Sequence, residues 1–155
     1  GTINDSRYML IELPMMEFDV NSVIDNLYEL TLKGIIPIIA HPERYIPFIK
    51  NPSLINDFIK EGYLFQLNTG SVIGDFGKDV KRLALNYLEN NVYSVVGSDA
   101  HSNVNRNTDI SEAISGVLRD YKCKFDKNGQ LVLEDKEIVR KSALIKERKK
   151  LFGIF

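Results

Sequence analysis

Gly34-Ile35-Ile36-Pro37-Ile38-Ile39-Ala40-His41-Pro42-Glu43-Arg44-Tyr45 is a β-branched apolar run that stops on a histidine. A second run, Val92-Tyr93-Ser94-Val95-Val96-Gly97-Ser98-Asp99-Ala100-His101-Ser102, ends the same way, and the 2 histidines of the chain are His41 and His101. Buried strands that end in His, Asp or Glu are how a parallel α/β sheet or barrel delivers ligands to its C-terminal rim, where the sites of such folds collect. The two runs therefore predict an α/β fold with its chemistry on that rim.

Working outward, Arg7–Leu13 reads as a strand ended by Pro14, and 19–33 as a helix with Val20, Val23, Ile24, Leu27 and Leu30 on one face before Gly34. After the strand 35–40 and the His-Pro-Glu-Arg loop, Asn51-Pro52 predicts a helix start that Gly62 closes. Tyr63–Leu67 is a third strand, 78–90 a helix, and 92–96 a fourth strand. Thr108 or Asp109 caps a further helix that carries Ile110, Ala113, Ile114, Val117 and Leu118. Four β/α units in a row imply parallel strands with right-handed crossovers. The end reads differently. Asn128-Gly129 between short alternating runs predicts a hairpin over Lys122–Leu133, and Asp135 opens a Lys/Arg-rich helical tail with a basic run at 146–150. The division expected is 1–121 and 122–155.

Composition bounds the rest. The chain has 155 residues, 44% hydrophobic and 26% charged, enough to bury a core. A net charge of −1 gives no bulk electrostatic reason for a nucleic-acid partner. The single cysteine, Cys123, excludes an internal disulfide and suits a cytoplasmic location, and no apolar run is long enough to span a membrane. Gly1 stands where an initiator Met would, so a processing or fragment boundary is expected there.

His41, Asp99 and His101 offer imidazole and carboxylate from two strand ends, and Glu12 adds a carboxylate from the first. Mixed nitrogen and oxygen donors suit manganese, iron or zinc. Arg44 and Arg106 leave loops on the same rim, and a guanidinium fork matches a phosphoryl group in shape and charge. Gln66, Asn68, Ser71, Ser98 and Ser102 are available to line the pocket, although such residues also serve as turn and cap residues. Cys123 is followed six positions later by Gly129 rather than arginine, which removes the cysteine-phosphatase loop. A P-loop, a paired-glycine dinucleotide turn and a Gly-x-Ser-x-Gly elbow are also missing, which leaves metal-assisted hydrolysis.

In order, Leu10-Ile11-Glu12-Leu13-Pro14, Ile39-Ala40-His41-Pro42-Glu43-Arg44-Tyr45, Gln66-Leu67-Asn68-Thr69-Gly70-Ser71 and Gly97-Ser98-Asp99-Ala100-His101-Ser102 resemble one family closely. It is the bacterial manganese-dependent protein-tyrosine phosphatases of the polymerase and histidinol phosphatase (PHP) superfamily, the CpsB/CapC type of capsule and exopolysaccharide operons. The motifs lie within Arg7–Arg106, and 122–155 adds nothing to them. The resemblance implies a PHP-type distorted (β/α)7 TIM-like barrel, of which about four units are present here. It implies Glu12, His41, Asp99 and His101 as ligands of Mn²⁺, with Fe or Zn as substitutes, and Arg44 and Arg106 as catalytic phosphate contacts, with Asn68 also lining the substrate pocket. The implied partner is the phosphotyrosine tail of a bacterial tyrosine kinase that regulates polysaccharide synthesis.

The family opens with a His-x-His strand and further ligands that nothing before Glu12 supplies. The expectation is thus a C-terminal portion of the phosphatase, inactive or weakly active alone, whose open barrel edge favours assembly with a missing half or a second protomer. Two alternatives stand beside it: a small-molecule phosphomonoesterase of the histidinol phosphatase kind, and a non-catalytic phosphotyrosine-binding or assembly module.

Overall fold

Along each strand, side chains alternate between two apolar layers, and that alternation builds the sheet. In the computed structural model, which describes residues 1–98 and 115–147, the strands are β1 (Tyr8–Ile11), β2 (Ile36–Ala40), β3 (Leu64–Asn68) and β4 (Val95–Gly97). They lie side by side in chain order, and every pairing is parallel. Ile11 pairs with Ile39, Ala40 with Gln66 and Asn68 with Gly97, so the strands finish on a common edge. The expected parallel α/β sheet is therefore present.

The crossovers carry the helices. Asp19 caps α1 (Val20–Leu32) by accepting from the Ser22 amide at 2.9 Å. Between β2 and β3 run α2 (Ile46–Lys50) and α3 (Ile55–Glu61), the latter entered through a 3-10 turn at Pro52–Leu54 and ended by Gly62 in the left-handed region, φ 87°. Between β3 and β4 run α4 (Thr69–Ile73) and α5 (Lys78–Glu89). Short α2 and α4 stand where the sequence reads as loop. Each has too few residues to show a 3.6-residue period. The fourth strand is shorter than expected. Val92 and Tyr93 are buried just ahead of it, and the Ser94 amide already bonds Phe65 O at 3.0 Å.

On one face, Ile39, Phe65 and Leu67 pack with Leu27, Phe48, Phe58, Leu83 and Tyr87 from the helices. Burial of such side chains contributes about 1.5–3 kcal/mol each, and Phe48 and Phe58 meet edge to face at 5.5 Å. On the other face, Tyr8, Ile38 and Leu64 meet Val132 and Ile138 from the C-terminal region.

That region corrects two expectations. Lys122–Leu133 is a helix, α6, and not a hairpin. Phe125, Asn128 and Val132 are its buried residues, at helical spacing, and Asn128 Nδ2 donates to Ser94 O at 2.7 Å rather than shaping a turn. Burying that stripe outweighs the cost of Gly129 inside a helix, about 1 kcal/mol. Asp135 does not open a helical tail either. It turns the chain at φ 54° and accepts from Arg7 N at 2.8 Å and Arg7 Nε at 3.0 Å. Residues 136–147 follow without helix. Asn56 grips Ile145 through both its amide and its carbonyl, at 2.8 and 2.9 Å. Tertiary anchors, not local propensity, set this strap. The helix expected from Thr108 or Asp109 lies, up to Ile114, outside the described residues, as does most of the basic run 146–150. Leu118, at its far end, is fully buried.

Candidate functional site

Strand parity puts Glu12, one residue past β1, on the face of Tyr8, and Asn68, closing β3, on the face of Leu64. His41 follows β2 directly, and its amide donates to Gln66 O at 2.8 Å, so the pairing of β2 with β3 continues up to this residue. His41 then adopts φ 34°, ψ 58°. For a residue with a Cβ this left-handed conformation costs about 1–2 kcal/mol, and such strain collects where the surroundings dictate a side chain's direction. The result is a 1% exposed imidazole whose Nε2 lies 3.7 Å from Glu12 Oε1.

That separation exceeds a hydrogen bond. Two ligands, each about 2.1 Å from one ion, stand roughly 3.0–3.4 Å apart at octahedral and tetrahedral angles. The pair is therefore close to the span of two ligands on one cation, and its imidazole and carboxylate are a donor set for manganese, iron or zinc. Among the described residues no group of three or more His, Cys, Asp or Glu converges on a point. Asp99 and His101, the other two expected ligands, and Arg106 and Ser102 lie outside the described residues.

Arg44 is brought to the same loop by a 3-10 turn, Pro42–Arg44, and its guanidinium carbon sits 4.1 Å from the Phe76 ring centroid. The platform is tightly backed, since a Cβ on Gly70 would come within 2.9 Å of the Phe76 ring. The two ends of the Asn68 amide differ in their partners. Oδ1 caps α4 by accepting from the Gly70 amide at 2.9 Å, as a cap residue should, while buried Nδ2 has no hydrogen-bond partner among the described residues. An orphaned buried donor is costly, and a bound anion would satisfy it.

Glu43 has no assigned role in the sequence reading, yet it is the most constrained carboxylate here. It is 0% exposed. Oε1 accepts from Asn68 N at 3.0 Å and Ser71 Oγ at 2.7 Å, and Oε2 accepts from Tyr93 OH at 2.8 Å. Burial pushes its carboxyl above the usual range, opposed in part by the Ser71 and Asn68 bonds. Burial, with the Glu43 carboxylate beside it, likewise pushes the Tyr93 phenol well up, so it stays a donor. Ser71 is thereby committed to Glu43 rather than to the pocket. The available signal was position, a carboxylate between a ligand-type histidine and a phosphate-type arginine. Tyr45, closing the motif, is fully buried and accepts from Leu13 N at 2.9 Å, which ties the loop to the residue after Glu12.

A separate cavity of about 860 Å³ opens at the other end of the sheet, by Tyr63, Ser94, Lys124 and Arg140. No candidate site residue lines it.

The family model described as "Capsular polysaccharide synthesis, CpsB/CapC" matches residues 1–138. The chain belongs to the CpsB/CapC family. The match runs through α6, a segment that carried no part of the motif resemblance. Among curated CpsB/CapC relatives, tyrosine-protein phosphatase YwqE of Bacillus subtilis (strain 168) is 38% identical over 160 residues, covering 99% of this chain and 62% of the relative. Tyrosine-protein phosphatase CpsB of Streptococcus pneumoniae is 32% identical over 128 residues, 79% of this chain and 52% of its own length. A solved structure from work on YwqE and S. pneumoniae CpsB, described there as metal-dependent tyrosine phosphatases, superposes with a TM-score of 0.84 at 34% identity. It covers 95% of this chain and 61% of that one. The chain thus spans about three-fifths of the length of the first CpsB/CapC relatives it matches.

Proposed function

We propose that this CpsB/CapC chain serves a metal-dependent protein-tyrosine phosphatase, with Glu12, His41, Asp99 and His101 as metal ligands and Arg44, Arg106 and Asn68 as phosphate-binding groups. The observation that carries the reading is the Glu12–His41 pair at 3.7 Å on the strand edge where Arg44 and the unpartnered Asn68 Nδ2 also stand. Manganese is the metal we assign. When bound, it supplies Lewis-acid polarisation and a water acidic enough to act near neutral pH.

Arg44, with its guanidinium carbon 4.1 Å from the Phe76 ring centroid, presents its guanidinium to phosphoryl oxygens and stabilises the charge they gain in the transition state. It does not donate the proton, because a guanidinium stays protonated at working pH. Asn68 Nδ2 adds a neutral donor from a fixed strand end. A tyrosyl oxygen, with a phenol pKa near 10, leaves without a strong general acid. Buried Glu43 is engaged by three donors.

The sheet would then be part of a distorted (β/α)7 barrel, and the substrate a phosphotyrosine tail of a bacterial tyrosine kinase in polysaccharide synthesis. A cytoplasmic setting follows from that substrate. Among the described residues no helix is long and apolar enough to cross a membrane.

The test is calorimetric Mn²⁺ titration of this chain and of His41→Ala, with hydrolysis of phosphotyrosine and phosphoserine peptides beside it. Mn²⁺ binding that His41→Ala abolishes is expected, with turnover by this chain alone weak or absent and whatever remains favouring phosphotyrosine. Mn²⁺ binding unchanged in His41→Ala would overturn the ligand assignment. Preference for histidinol phosphate would move the reading to a small-molecule phosphomonoesterase, and phosphotyrosine-peptide binding that needs no Mn²⁺ and survives His41→Ala would move it to a recognition module.

A further inference from the structure

A buried carboxylate with no cationic partner is an expensive way to fill a core position, and an apolar side chain of similar size is commonly no worse for stability. Glu43 is such a group: it is 0% exposed, and among the described residues no Lys, Arg or His forms an ion pair with it. Its three hydrogen bonds go to three separate pieces of chain. Asn68 N is the last residue of β3, Ser71 Oγ belongs to α4, and Tyr93 OH precedes β4. The loop that carries Glu43 is also tied outward by His41 N, which donates to Gln66 O at 2.8 Å, and by Tyr45 OH, which accepts from Leu13 N at 2.9 Å. Its internal backbone bonds are two 3-10 contacts, Arg44 N to His41 O at 3.0 Å and Tyr45 N to Pro42 O at 3.3 Å. His41 sits in that loop at a strained φ of 34°, which persists only where the surroundings over-determine it.

From this geometry we infer that Glu43 is a positioning residue that locks His41, Arg44 and Asn68 into one constellation. The inference rests on the proposed metal and phosphate roles of those three residues. His41 lies two residues before Glu43 and Arg44 one after it, so fixing the carboxylate fixes both directions. Asn68 is reached directly, through its backbone amide, and its side chain is already committed at Oδ1 to the α4 cap. A single carboxylate thus couples the end of β2 to the end of β3 and to the approach of β4. Glutamine can serve in the same place, since its carbonyl oxygen accepts from Asn68 N and Ser71 Oγ while its amide donates to the Tyr93 oxygen. Alanine can serve none of them.

The experiment compares Glu43→Gln and Glu43→Ala with the parent chain by residue-resolved amide hydrogen exchange and by Mn²⁺ titration. Glu43→Ala should speed exchange of the His41 and Arg44 amides while leaving α1 at its parent rate, and weaken Mn²⁺ binding by about 10–100-fold, as loss of a ligand-orienting partner does. Glu43→Gln should restore both. Unchanged exchange and affinity in Glu43→Ala would overturn the lock, and so would a Glu43→Gln that keeps parent exchange but loses Mn²⁺, since charge rather than position would then matter. If the parent chain binds no Mn²⁺, the metal reading fails while the exchange arm still decides the lock. Should Glu43→Ala not fold, Tyr93→Phe and Ser71→Ala each remove one anchor. Faster exchange confined to 41–45 supports the inference, and parent-like exchange in both overturns it.

Discussion

Tyr45→Phe isolates one hydrogen bond at the centre of the site. The ring is fully buried, with Phe18 at 6.0 Å, Phe48 at 6.1 Å and His41 at 5.4 Å between centroids, and phenylalanine keeps all of these contacts. What goes is the phenol oxygen that accepts from Leu13 N at 2.9 Å. Leu13 is itself buried, so its amide is left with neither protein nor water as acceptor. An orphaned buried donor costs about 1–3 kcal/mol, which for a chain of this size lowers the melting temperature by about 2–12 °C. Tyr87→Phe is the matched control. Its hydroxyl is equally buried but donates, to Pro52 O at 2.8 Å. Losing it strands a carbonyl, a group that tolerates under-satisfaction better than an amide. Urea unfolding of both variants at neutral pH, with an unchanged m-value as evidence that only stability moved, should rank Tyr45→Phe as the more destabilised. A Tyr45→Phe loss below about 0.5 kcal/mol, the ordinary scatter of surface substitutions, or one smaller than that of Tyr87→Phe, would refute the reasoning.

Gly129 lies inside α6 with open space where a Cβ would go, so Gly129→Ala should stabilise the chain by about 0.5–1 kcal/mol. A loss on thermal melting would return the segment to a turn. Asp135 is held below its ordinary range by hydrogen bonds from the Arg7 backbone and side chain. A depressed carboxyl adds stability that is fully present above the unfolded pKa, about 3.9, and disappears as pH falls through the lower folded value. Asparagine accepts the left-handed turn at φ 54°. The parent's advantage over Asp135→Asn should therefore shrink between about pH 5 and pH 2, and acid unfolding curves offset equally at every pH would disprove it.

The long periodic elements were legible because burial and local propensity agree in them. A β-branched run with Gly34 before it and His41 after it has few alternatives to a buried strand, and α1 and α5 each run over enough residues to expose their stripe. Glu12, His41 and Arg44 could be picked out as candidates because they follow strand ends, which bring ligand-type and phosphate-type residues to one edge of the sheet. Asn68 was legible as a cap residue, a place its Oδ1 takes on α4, while its buried Nδ2 stays without a hydrogen-bond partner among the described residues.

Chain order alone determined the parallel sheet, its edge of strand ends and the residue types on that edge. Tertiary structure decided what local signals left balanced or misread. Asn128-Gly129 has the local chemistry of a hairpin turn, but the bond from Asn128 to Ser94, more than thirty residues away, and the burial of Phe125 and Val132 made it helix. Asp135 resembles a helix start until Arg7, at the opposite end of the chain, takes its carboxylate. Glu43 shows the same principle at the site. Nothing near it in the chain says that its charge is buried, because the three donors that make burial tolerable are supplied by residues 68, 71 and 93. Short-range pattern determines what a segment can be, and long-range contacts choose when two options lie within a few kcal/mol of each other.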